Sequence, residues 1–143
     1  MMIPAMRLSL ALVVFASLLV SGCADHVPDQ DLRILAVTTP AAKLSADDLW
    51  KDFQKDPVAA RRQYFGQAID VSAKITSFEA NPAKVPHIFF GQSGAPGVRA
   101  RLLDDKAAET VKEIKVGDRI TLRCFCEGLD EKQDVVLKSC IRP

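Results

Sequence analysis

No stretch of this 143-residue chain is apolar for long enough to cross a bilayer as a helix. The run over residues 8–20 stops well short of the ~20 apolar residues that a spanning helix needs. An excess of charge of either sign is also missing: 19 basic residues face 18 acidic ones. That balance removes bulk attraction to nucleic acid or to anionic lipid as a basis for function. Histidine is scarce. His26 and His87 are the only two, and neither stands in a recognisable relation to a serine or cysteine nucleophile. Gly91-Gln92-Ser93-Gly94 is not a nucleophile elbow. The glycine-rich stretch 91–97 lacks the Lys-Ser/Thr and the strand-loop-helix setting of a phosphate cradle. No C-x-x-C pair marks a redox site, and there are no internal repeats. The acidic pairs Asp47-Asp48, Asp104-Asp105 and Asp130-Glu131 fall at helix starts or in a turn, where capping and solvation account for them. The expectation is a protein that is not an enzyme and holds no cofactor.

What is present begins at the N-terminus. A lone Arg7, the apolar run, and Val20-Ser21-Gly22-Cys23 follow one another as basic start, apolar segment and small residues at a cut. This resembles the lipobox of a bacterial lipoprotein signal peptide. The resemblance implies that residues 1–22 are removed, that Cys23 is lipidated (palmitate among the acyl groups), and that the protein is exported and held at a membrane by its N-terminal lipid. Stable anchoring takes more than one acyl chain. Ala24 in place of Asp implies, in a Gram-negative cell, the outer membrane facing the periplasm. Cleavage takes only Arg7 from the charges and leaves 18 of each sign.

Residues 23–43 show no sustained period and are expected to be the lipidated cysteine and a flexible tether. Within them a short apolar patch, 32–37, could dock on the domain. The pattern changes at Leu44. Ser45 with Asp48 forms a capping box, and Leu49, Trp50 and Phe53 share one helix face. Asp56-Pro57 starts a second helix, which Gly66 stops. Strands follow over 69–76, 85–90 and 98–102, then a helix over 104–114, a strand over 119–126, a turn over 128–132 and a last strand over 135–141. Five strands with a helix between the third and fourth is the plan of an OB-fold. The expected class is therefore mainly β with helices (α+β): a five-stranded barrel preceded by a short helical hairpin, over residues 44–143.

Several motifs carry a family resemblance. Leu44-Ser45-x-x-x-Leu49-Trp50, Ala60-x-x-x-Tyr64-x-Gly66, Ile114-x-x-Gly117-Asp118-x-Ile120, and Cys126 with Leu137-x-x-Cys140 are similar in order and spacing to the tRNA_anti-like OB-fold proteins. These are small bacterial domains, often lipoproteins or exported. With Cys23 assigned to lipid, three cysteines remain in a compartment that permits disulfides, so one pair and one leftover thiol are expected. The resemblance implies Cys126 with Cys140. Cys124 is the alternative partner, since it occupies a place where the family pattern has glycine and shares a strand face with Cys126. A zinc set of these three thiols with His87 is not expected, because the spacing departs from zinc motifs.

One basic constellation stands out. Arg99 and Arg101 project from one face of the third strand and Arg119 and Arg123 from the fourth, with Phe89 and Phe125 near them in the pattern. Such a face could hold an anionic oligomer, either an envelope glycan or single-stranded nucleic acid. The leading expectation is nonetheless a non-catalytic envelope lipoprotein, an OB-fold binding or assembly module with a protein partner in the envelope. Nucleic acid is not the expected partner of a neutral exported chain.

Overall fold

The computed structural model describes residues 28–79, 85–92 and 95–143. The signal segment 1–22, the lipidation site Cys23 and residues 24–27 lie outside the described residues. The elements run α1 (Pro28–Val37), β1 (Ala42–Ser45), α2 (Ala46–Lys55), α3 (Pro57–Tyr64), β2 (Ala68–Lys74), β3 (Ser77–Glu79), β4 (His87–Phe90), β5 (Val98–Leu102), α4 (Asp104–Glu113), β6 (Arg119–Leu129) and β7 (Val135–Ile141). All seven strands join one sheet, in the order β1-β2-β6-β7-β5-β4-β3. The class is mixed α+β, with an OB-like half-barrel.

Seven strands replace the expected five for two reasons. The alternation over 69–76 continues through a change of partner: the Ile75 N–H donates to the Asp118 carbonyl at 2.8 Å, whereas the Thr76 N–H donates to that of Phe89 at 2.9 Å. The expected strand therefore ends as β2, paired with β6, and the chain continues beyond it into β3, paired with β4. The second reason is β1, which pairs parallel to β2 and begins inside the expected tether, at Ala42 and Lys43. Residues 28–43 are thus not a flexible tether. Leu35 of α1 is fully buried against Ala68, Leu103 and Ile141, with Phe125 packed beside them. Two alternating apolar residues, Ala42 and Leu44, are easily read as linker when the partner strand lies 27 residues on, as Ala42 and its partner Ile69 illustrate. The expected turn over 128–132 also moves, because β6 runs on to Leu129.

The two helices before the barrel strands begin where the caps place them. The Ser45 side chain accepts from the Asp48 N–H at 3.0 Å, and Asp56 Oδ1 accepts from the Ala59 N–H at 3.0 Å with Pro57 in the first turn. Leu49 and Phe53 of α2, and Ala60 and Tyr64 of α3, enter the core with Ile69, Val71, Ile88, Leu122 and Leu137. Tyr64 ties the helices together by donating its hydroxyl to Asp52 Oδ2 at 2.7 Å. Burial, reinforced by that hydrogen bond and by the Asp52 charge, pushes the phenol from 10.0 up to about 12. The folded state holds this proton more tightly than the unfolded chain does. Its contribution is whole below pH about 10 and is lost as pH rises through about 12. Tyr64→Phe is expected to cost about 1 kcal/mol at neutral pH, and to flatten the alkaline fall in stability measured by urea unfolding at stepped pH.

The disulfide joins Cys124 to Cys140, not Cys126 to Cys140, and Cys126 is free and buried. Strand register decides this. β6 and β7 are antiparallel with irregularities between Arg123 and Phe125 and between Cys126 and Gly128. Cys126 lies opposite Leu137, while Arg123 lies opposite Ile141. Ser139 adopts a left-handed φ of 52° just before Cys140. The result brings the Cα atoms of Cys124 and Cys140 within 4.3 Å. Burial pushes the remaining Cys126 thiol from 9.0 up to about 11, against a partial lowering by its hydrogen bond to the Gly128 backbone.

Candidate functional site

Polar residues of β2 and β6 meet in a row of cross-strand pairs: Asp70 with Arg123, Ser72 with Thr121, and Lys74 with Arg119. They share one face because side chains two apart on a strand point the same way. The first pair is a bidentate ion pair, Arg123 Nε to Asp70 Oδ1 at 2.7 Å and Nη2 to Oδ2 at 3.0 Å. The second is a hydroxyl pair at 2.9 Å. The third sets two cations directly opposite each other, an arrangement that destabilises a sheet. Lys74 and Arg119 are both exposed, and neither forms an ion pair among the described residues.

This repelling pair lies on the wall of a groove of about 940 Å³. Four segments enclose it. The start of α2 supplies Asp47, Trp50 and Lys51, and the end of β2 supplies Ser72 and Lys74. The β4–β5 loop contributes residues 91, 92 and 95–97, and the turn before β6 contributes Val116 and Gly117, with Arg119 at the start of β6. Three cations, Lys51, Lys74 and Arg119, thus oppose one acid, Asp47. Trp50 is half-buried against the core, and its Nε1–H is buried without a hydrogen-bond partner among the described residues. Gly97 is required by close approach: a Cβ there would collide with the Phe90 carbonyl oxygen and sit 3.4 Å from the Gly91 Cα. That contact pinches the base of the loop.

The basic face expected from sequence is divided among three places. Phe89 and Arg99 are cross-strand partners on β4 and β5, and Arg101 follows on the same face opposite His87. Arg99 is engaged there with Asp130 at 2.7 Å. Arg119 lies on the groove instead. Arg123 is engaged within the fold: its guanidinium pairs with Asp70, and its Nη1 donates to the carbonyls of Leu35 at 3.2 Å and Thr38 at 3.3 Å, which clamps α1 to the sheet. The hydrogen bond to Asp70 raises its already high pKa further. Phe125 packs beneath α1 beside Leu35. Lys51, Lys74 and Trp50 were not legible as site residues. Alternation places Lys74 on a polar face, but only the pairing register shows that it meets another cation. Among the described residues, no three His, Cys, Asp or Glu side chains gather as a metal site, and no helix is long and apolar enough to cross a membrane.

The profile of the tRNA_anti-like family matches residues 1–141. The chain belongs to the tRNA_anti-like family. Among solved structures, this tRNA_anti-like protein is similar to one from Klebsiella pneumoniae subsp. pneumoniae MGH 78578 that carries the provisional name nucleic acid-binding lipoprotein. The TM-score is 0.54 at 14% identity, over 69% of this chain and 88% of that one. At that identity the likeness shows the shared fold. A second match, to a protein of Leishmania major Friedlin provisionally named an aspartyl-tRNA synthetase, has a TM-score of 0.47 at 12% identity, covering 67% of this chain and 19% of that one. No curated protein matches the chain.

Proposed function

We propose that this tRNA_anti-like protein is an exported, lipid-anchored and non-catalytic binding module, whose OB-type barrel takes an anionic oligomer in the groove between α2, the end of β2 and the β4–β5 loop. One observation carries the reading: Lys74 and Arg119 are held opposite each other on that groove wall with no acid between them. Such a pair costs stability in the free protein, and an anion bound across it would relieve the repulsion. Lys51 adds a third charge, and the Trp50 indole gives a flat apolar surface with a donor still unused. The lipobox-like Val20-Ser21-Gly22-Cys23 supports the anchor. The Klebsiella protein's provisional name likewise joins a lipoprotein with nucleic acid binding.

The reading couples binding to stability in opposite directions. Lys74→Glu turns the repelling pair into an attractive one and is expected to raise unfolding stability by up to ~1 kcal/mol. The same change should weaken binding of a sulfated glycan fragment or an oligothymidylate by about tenfold at low salt, where wild-type affinity falls steeply with ionic strength. The Arg99→Ala/Arg101→Ala variant should bind like wild type. Equal affinity of wild type and Lys74→Glu for both probes would refute the groove as the site.

A further inference from the structure

We infer that the outer face of α1 rests on the lipid bilayer surface and fixes which side of the domain the membrane sees. The inference stands on the lipid-anchor reading of Cys23. Pro28, the first residue of α1, lies five residue steps after Cys23. At ~3.6 Å per residue the domain's first helix starts no farther than about 18 Å from the acylated residue. The helix is not a loose spacer beyond that point. Leu35 is fully buried in a small apolar cluster with Ala68, Leu103 and Ile141, and Arg123 holds the carbonyls of Leu35 and Thr38. An anchor within that reach of a helix welded to the sheet restrains the whole domain.

The opposite side of α1 carries what a lipid surface would cover. Ile34 is 40% exposed and Val37 is 85% exposed. Three positions apart, they lie on one helix face, turned away from Leu35. In water these side chains gain nothing from exposure. Beside a bilayer they can enter the headgroup boundary, as apolar faces of interfacial helices do. Two apolar side chains would be too weak to recruit a free protein, but the acyl anchor makes the contact intramolecular and supplies a high effective concentration. Lys74 and Arg119 sit four residues along β2 and β6 from the Asp70–Arg123 clamp, about 13 Å away. That spacing separates the groove pair from the point where α1 is clamped.

The test uses the full lipidated chain reconstituted into phosphatidylethanolamine–phosphatidylglycerol vesicles. Val37→Cys and Lys132→Cys, each carrying an environment-sensitive fluorophore, report on α1 and on the tip of the β6–β7 hairpin. Cys126 is buried and stays unlabelled in the folded protein. A quencher attached to the lipid chains is expected to suppress the probe at 37 by at least about threefold, and to leave the probe at 132 nearly unchanged. The intact mass of the extracted mature protein reads lipidation separately. Acylated protein with equal, weak quenching at both positions would overturn the membrane contact and leave the anchor standing. A mature protein without acyl groups would overturn both.

Discussion

Asp70→Ala is expected to destabilise the fold by about 3 kcal/mol, more than any other single change on the protein's surface-facing strands. Asp70 is nearly buried, and its two oxygens take both ends of the Arg123 guanidinium. Removing it leaves a cation whose side chain is 16% exposed with two backbone carbonyls and no counter-charge. A broken buried pair of this kind costs more than the pair itself contributes, because the surviving charge stays desolvated. The loss should be visible as a lower urea midpoint with early amide exchange in α1, since the guanidinium that holds Leu35 and Thr38 loses the carboxylate that positions it. The double change Asp70→Leu/Arg123→Met should recover much of the stability while α1 remains less protected. An Asp70→Ala protein within about 0.5 kcal/mol of wild type would show that water already solvates the pair.

The second large effect belongs to the disulfide. Cys124→Ala/Cys140→Ala is expected to cost about 3 kcal/mol, the chain-entropy value for a loop of this length, where the separation is 16 residues. That is a large share of the ~5–15 kcal/mol by which domains of this size are stable. Cys126→Ala removes only a buried sulfur and should cost about 1 kcal/mol. Alkylation before and after unfolding separates the roles: Cys126 should resist modification in the native protein and react once unfolded, with Cys124 and Cys140 protected until reduction. A native protein in which Cys124 is the alkylatable thiol would contradict the pairing.

Local chemistry was legible in the sequence wherever one segment sufficed to express it. The caps at Ser45 and Asp56 depend on residues three apart, and the structure places both hydrogen bonds there. What sequence could not express was pairing between distant segments. Alternation ran unbroken through Ile75 and Thr76 although the chain changes neighbours between them. The cysteine choice turned on two irregularities in the β6–β7 ladder, which carry no residue signature of their own. The same limit explains the basic residues. Arg99, Arg119 and Arg123 look alike in a polar-apolar pattern, but the topology gives one an acid on the β6–β7 turn, one a second cation, and one the job of holding a helix. Lys74 became a site residue only once its partner strand was known.

The pinched base of the β4–β5 loop has an evolutionary consequence. A Cβ on either Gly91 or Gly97 would come within about 3.4 Å of the other's Cα, so the two ends of this loop stand side by side. Lengthening it from there would add only about 0.6 kcal/mol for each doubling of its length. The rim of the groove is therefore the place where this scaffold can accept insertions, and so change what it recognises, without disturbing the strands that carry it.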